Sequence, residues 1–148
     1  MQVRVSSSRD PEPLALDAFE RLGAFVLRLE EVPDSAELSI AVVDVAEMAH
    51  LSEKYRGVPG PTDVLSFGCD EPCAAGSDEP ITLGDVIIAP EIAQKQSEEM
   101  GTTVEAELNL LLVHGVLHLL GYVHEEEESE RAMRAREESL LSAWADQS

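Results

Sequence analysis

The chain has 148 residues, enough for one domain with a single buried core, and 44% of them are hydrophobic, which excludes a generally disordered protein. It contains no long apolar run that could span a membrane, and residues 1–8 lack the apolar segment of a secretory signal. The sequence therefore predicts a single cytoplasmic domain over residues 1–148. Acidic residues outnumber basic ones by 30 to 10, a net charge of -20 that argues against a polyanionic ligand.

Hydrophobic periodicity predicts strands and helices in alternation along the chain. The predicted strands cover residues 2–6, 37–44, 62–67 and 81–88, and the predicted helices cover residues 14–31, 45–55, 90–100 and 105–120, with a last amphipathic helix after residue 125. The connection of about a dozen residues between the last two strands is most simply a hairpin, which argues against a purely parallel sheet. The predicted fold class is α+β, with a mixed sheet of about four strands packed against helices and a central histidine-bearing helix.

Three of the four histidines lie close together in the sequence, at His114, His118 and His124. His114 and His118 are four residues apart on a helix that is apolar almost all round, so they project from one face. Gly121 can take a left-handed conformation and end the helix, which lets His124 return toward the other two. Three imidazoles can hold one zinc ion with a position open for water. A pair alone would more often belong to the core, and the isolated His50 is expected to be a surface or partly buried histidine and not a ligand.

The histidine spacing is that of the metzincin zinc proteases, His-x-x-x-His-x-x-Gly-x-x-His. Those proteases carry a glutamate directly after the first histidine, where it acts as the general base. Here that position is Gly115. Peptide hydrolysis by the metzincin route is therefore not expected.

Two further features precede the histidines. Arg56 and Gly57 end a predicted helix, where an arginine can interact with the last carbonyl groups. Cys69 and Cys73 lie in an acidic stretch that contains proline and glycine. Because two thiols with a three-residue gap form neither a redox pair nor a complete zinc site, we interpret the stretch as a surface loop with incidental cysteines.

Three stretches of the sequence together resemble the YbeY family of bacterial metal-dependent endoribonucleases. They are His114-Gly-Val-Leu-His-Leu-Leu-Gly-Tyr-Val-His124, Tyr55-Arg-Gly57 followed by Pro61-Thr-Asp-Val-Leu-Ser-Phe67, and Leu83-Gly-Asp-Val-Ile-Ile88. The resemblance extends over roughly residues 36–142. The chain departs from the family at Val123, where an aspartate is usual. This position is not a metal ligand, but its change removes an outer carboxylate that would influence metal affinity or the basicity of His124.

The resemblance implies hydrolysis of single-stranded RNA by one zinc ion, or another divalent transition metal, held by His114, His118 and His124. His114 and Arg56 are then the expected catalytic residues, because the guanidinium fork of Arg56 matches two oxygens of the scissile phosphate. Asp85 is either structural or orients a metal-binding histidine. The resemblance also implies maturation of the 3′ end of 16S ribosomal RNA and ribosome quality control.

Two other functions are compatible with these residues. One is a metal hydrolase that acts on another ester or an amide. The other is a non-catalytic ribosome-associated module with a structural zinc, which the acidic surface favours through contact with basic ribosomal proteins. The expected partners are RNA, the ribosome and its proteins, with no membrane, and the chain is expected to be a monomer.

Overall fold

A computed structural model describes residues 2–7, 16–57, 60, 62–68, 81–122 and 126–147, except the side chains of Arg56 and Ile81. Within these ranges, strands and helices follow the predicted order. The elements are β1 (Gln2–Ser7), α1 (Leu16–Leu29), β2 (Ala36–Val42), α2 (Val45–Arg56), β3 (Val64–Gly68), β4 (Ile81–Ile88), α3 (Pro90–Met100), α4 (Val104–Leu119) and α5 (Glu127–Gln147). The cysteine-containing stretch and the predicted helix start at Leu14 lie outside the described residues.

The strands form one mixed sheet in the order β1-β2-β4-β3. β1 pairs with β2 and β2 pairs with β4 in parallel, whereas β3 pairs with β4 in antiparallel orientation. The antiparallel pair confirms the predicted hairpin, and the whole sheet confirms the predicted α+β class. Among the described strands, β3 lies at one end of the sheet.

Two clusters of buried side chains lie on opposite faces of this sheet. Because side chains alternate along a strand, Val86 and Ile88 of β4 join the larger cluster while Ile87 between them joins the smaller one. Helices α1, α4 and α5 contribute to the larger cluster, and α2 contributes Met48 to the smaller one. The histidine helix α4 and the helix α2 therefore pack on opposite faces.

Helix α4 has defined signals at both ends. The hydroxyl oxygen of Thr103 accepts a hydrogen bond from the amide of Ala106 at 3.1 Å and caps the first turn. Gly121 has a φ of 104°, a conformation that side chains other than glycine's rarely adopt. The chain reverses there, and the amide of Tyr122 donates to the carbonyl of Leu117 at 3.1 Å. The glycine stop predicted at Gly121 is confirmed.

Gly115 lets the backbone of α4 lie directly on the sheet. The Ser66 hydroxyl of β3 donates to the Gly115 carbonyl at 3.1 Å. A Cβ atom at position 115 would lie 2.7 Å from Cγ1 of Val86, a side chain that is fully buried. The position that carries glutamate in metzincins therefore faces the sheet, and a longer side chain there would enter the core.

We expect Gly115→Ala to destabilise the protein by about 1 kcal/mol net, since overpacking costs about 1–3 kcal/mol and the better helix propensity of alanine returns about 1 kcal/mol. Denaturant unfolding of Gly115→Ala measures this loss. In a Val86→Ala background the same substitution should cost less, because the methyl group met by the new Cβ is gone. An equal loss in both backgrounds would contradict this packing explanation.

Candidate metal centre

His114 and His118 lie one turn apart in the last part of α4. Their ring centroids are 6.3 Å apart and their planes differ by 17°, so the rings are side by side and nearly parallel. His114 is half-buried and His118 is exposed, so the pair lies where α4 leaves the core. His124 and its neighbour Val123 lie outside the described residues, within which no group of three or more potential metal ligands is found.

The ring of His114 is oriented by Glu137 of α5. Their Nδ1 and Oε1 atoms are 2.6 Å apart, and the Glu137 side chain is only 11% exposed. Because a carboxylate accepts hydrogen bonds, Nδ1 of His114 is the donor. This hydrogen bond raises the pKa of His114, burial opposes it, and the negative charges of Glu137 and Asp63 add to the increase. Glu137 therefore makes the imidazole more basic and a better donor to a cation.

The ring of His118 is oriented by the backbone. Its Nδ1 atom lies 3.1 Å from the carbonyl oxygen of Tyr122. A carbonyl only accepts hydrogen bonds, so Nδ1 carries the proton and Nε2 carries the lone pair in the neutral ring. The turn after Gly121 brings this carbonyl back to His118.

Tyr122 is hydrogen-bonded to Glu30 just after α1, and Glu30 is in turn bonded to Arg136 of α5. Its hydroxyl donates to Oε2 of Glu30 at 3.2 Å, and Nε of Arg136 donates to Oε1 of the same carboxylate. Burial and the neighbouring Glu30 raise the pKa of Tyr122, so the phenol stays a donor near neutral pH. The end of α1, the turn after α4 and helix α5 are thus joined next to His118.

These contacts fit the binding of a divalent transition metal. In metal sites, a ligating histidine usually donates its other ring N–H to a carboxylate or a backbone carbonyl, which fixes its tautomer and direction. His114 has the carboxylate partner and His118 has the carbonyl partner. Both rings therefore have the tautomer that coordinates a metal through Nε2.

Glu137 was not predicted from the sequence as a site residue. Glu137 lies in the middle of α5, well after the acidic residues of its first turn. A signal was available, because Met133, Glu137 and Leu140 are spaced four and three residues apart. All three are buried, so Glu137 is a carboxylate on the buried stripe of α5.

We expect Glu137→Gln to weaken zinc binding about 10- to 100-fold, the usual effect of removing a partner that orients a ligating histidine. The amide keeps the shape of the side chain but lacks its charge. Competition with a chromophoric chelator measures the affinity. The matched control is Glu138→Gln, which changes the next, exposed glutamate of α5. Equal affinities for the two variants would contradict the role of Glu137.

The structure places the remaining residues considered from the sequence on β4 and α2. Asp85 is exposed on β4, next to Val86, which faces α4, so the Asp85 side chain projects from the opposite face. Because Nδ1 of each described site histidine is bonded elsewhere, a role for Asp85 in orienting a ligand stays a prediction for His124 alone. His50 is exposed on α2, as predicted. Arg56 is the last residue of α2, and Gly57 ends that helix with a φ of 69°.

The chain is similar to known proteins over most of its length. The family model "Endoribonuclease YbeY" matches residues 6–145. A protein of Acidothermus cellulolyticus named endoribonuclease YbeY is 47% identical over 130 residues, which are 83% of this chain and 79% of that protein. A protein of Thermobifida fusca with the same name is 43% identical, over 89% of this chain and 87% of that protein.

A solved structure gives the same fold. The solution structure of TM1509 from Thermotoga maritima matches with a TM-score of 0.63 over 98% of this chain and 93% of that chain, at 23% identity. At this identity the match supports the fold alone. The family model and the identities to the two curated relatives carry the assignment further: the chain belongs to the YbeY endoribonuclease family.

Proposed function

We propose that this protein is a metal-dependent endoribonuclease that hydrolyses phosphodiester bonds in single-stranded RNA. The observation that supports this most strongly is the pair of histidines on α4, each with Nδ1 bonded to an acceptor that orients the ring. The names of the relatives supply the reaction class. The expected setting is the cytoplasm, with the unprocessed 3′ end of 16S ribosomal RNA as substrate and ribosome quality control as the wider role.

The residues of the chain have distinct tasks in this proposal. His114 and His118 would hold the metal through Nε2, and His124 is the proposed third ligand. When bound, a zinc ion supplies Lewis acidity, which acidifies water and polarises a phosphoryl oxygen. Glu137 keeps the Nδ1 proton of His114 in place and offsets part of the positive charge at the site. Gly115 contributes no side chain, so the base is not the one used by metzincins.

The basic side chains of this acidic chain differ in whether a carboxylate neutralises them. Three arginines form ion pairs with glutamates: Arg131 with Glu127, Arg134 with Glu130, and Arg136 with Glu30. In the described part of the chain, no carboxylate lies within ion-pair distance of Lys54 in α2. We assign the end of α2 to the RNA because it carries Arg56, the residue expected to contact the scissile phosphate, next to Lys54.

We expect Arg56→Ala to lower kcat for RNA cleavage about 10²- to 10³-fold, the usual loss when one preorganised charge on a developing anion is removed. Zinc content should stay at the level of the unaltered protein, because Arg56 is not a proposed ligand. Steady-state cleavage kinetics and metal analysis of the same sample give both values. Unchanged kcat would remove Arg56 from the mechanism.

The experiment that tests the proposal compares substrates. Zinc-loaded protein is incubated with a single-stranded RNA that ends in an unprocessed small-subunit 3′ extension, with the same RNA annealed to its complement, and with small esters and phosphodiesters. Cleavage of the single strand in preference to the duplex supports the proposal. Cleavage of the small esters alone would favour a different metal hydrolase. Stoichiometric zinc without any cleavage would favour the ribosome-associated module with a structural zinc.

A further inference from the structure

An aromatic pair at the end of the sheet takes no part in the metal centre. Tyr55, in the last turn of α2, is 56% exposed, although most of its surface is apolar. Its ring meets the ring of Phe67 on β3 edge-on, with centroids 5.0 Å apart. Phe67 packs against the smaller core cluster and so anchors the pair. The Tyr55 ring is therefore held by packing and is still partly open to solvent.

A positive charge accompanies this ring. Nζ of Lys54 lies 5.1 Å from the centroid of the Tyr55 ring, within the range of a cation–π interaction. The combination of an exposed aromatic ring with a cation is how proteins bind single-stranded nucleic acids without reading their sequence.

The strand that carries Phe67 also contacts the helix that carries the site histidines. Ser66 of β3 bonds to Gly115 of α4, and a Cβ atom at Gly68 would lie 3.9 Å from Leu119. Strand β3 therefore runs along the last turns of α4. Phe67 lies between these two contacts but faces the other side of the sheet. Because β3 is the end strand among the described strands, the aromatic pair and the histidine-bearing turns lie on opposite faces of the sheet at the same edge.

We propose that Tyr55, supported by Phe67 and flanked by Lys54, is a stacking platform for one unpaired base of an RNA strand that passes around the end strand β3 from the metal centre. This inference rests on the proposed function. A base in a duplex is already stacked and paired, so the platform selects single strands. Asp85 is the cross-strand partner of Phe67 and shares its face, which disfavours a phosphate and favours an uncharged base.

The test uses zinc-loaded protein and a fluorescent single-stranded RNA. We expect Tyr55→Ala to weaken binding and raise KM roughly 5- to 100-fold with little change in kcat, because stacking on the platform acts equally before and during the reaction. Tyr55→Phe keeps the ring and should stay within about twofold of the unaltered protein. The control is Leu29→Ala, which truncates a 43% exposed side chain on α1.

An abasic nucleotide placed at each position of the RNA in turn locates the stacked base. At one position it should weaken binding to the unaltered protein but not to Tyr55→Ala. If the unaltered protein cleaves the RNA and Tyr55→Ala has the same KM and the same affinity, the platform is overturned and the proposed function stays intact. RNA binding that depends on Tyr55 without cleavage would support the platform and contradict the proposed function. Absence of RNA binding would overturn both.

Discussion

The His118→Ala variant is expected to lose RNA cleavage by about 10³-fold or more while its fold is kept. Metal-ion catalysis commonly supplies several kcal/mol, and each 1.4 kcal/mol is a factor of ten in rate. His118 is exposed in the last turn of α4, so its truncation opens no cavity in the core. The loss should therefore come from a missing ligand and not from unfolding.

Two measurements on the same sample separate these causes. Metal analysis after dialysis should give substoichiometric zinc for His118→Ala, and thermal unfolding of the metal-free forms should give similar midpoints for variant and unaltered protein. His50→Ala is the matched control, because it removes an exposed histidine from α2. If His118→Ala kept the zinc content and the cleavage rate of the control, the metal centre would have to lie elsewhere.

The Gly84→Ala variant is expected to lose more than about 3 kcal/mol of unfolding free energy, a large part of the 5–15 kcal/mol typical of a domain. Gly84 has a φ of 136°, and a Cβ atom there would lie 2.0 Å from the carbonyl oxygen of Phe67 and 2.9 Å from Cα of Gly68. These are backbone atoms of β3, so the clash is relieved only if the pairing of β3 with β4 changes.

Denaturant unfolding of Gly84→Ala measures this loss, and Gly101→Ala is its matched control. Gly101 ends α3 with a φ of 73°, but a Cβ atom there would meet nothing within 4 Å. Its substitution should cost only about 1–2 kcal/mol, the strain of a left-handed conformation. Similar losses for the two variants would show that conformation alone, and not the contact with β3, makes glycine necessary at position 84.

The main elements of the fold could be predicted because local signals and tertiary packing agree. Thr103 caps α4, Gly121 ends it, and most of the apolar residues between them are buried, as their pattern indicated. The β3–β4 hairpin followed from the short separation of two strand-like segments. The parallel pairing of β2 with β4 involves segments far apart in the sequence, whose order in the sheet has no local signal.

The candidate site was predicted less completely, for a physical reason. Residue type indicates which side chains can bind a metal, so His114 and His118 could be proposed as ligands from the sequence. The groups that orient them are harder to find. Glu137 reaches His114 from another helix, and the acceptor for His118 is the backbone carbonyl of Tyr122, which any residue would supply.

Titration of the metal-free protein with zinc tests the central proposal most directly. After removal of metal by a chelator, cleavage of the single-stranded 3′-extended RNA is measured at increasing zinc, and bound zinc is measured in the same samples. We predict no cleavage without zinc and a rise to a plateau at one ion per chain. Cleavage that persists in the chelator, or one bound ion per chain with intact RNA, would contradict a metal-dependent endoribonuclease.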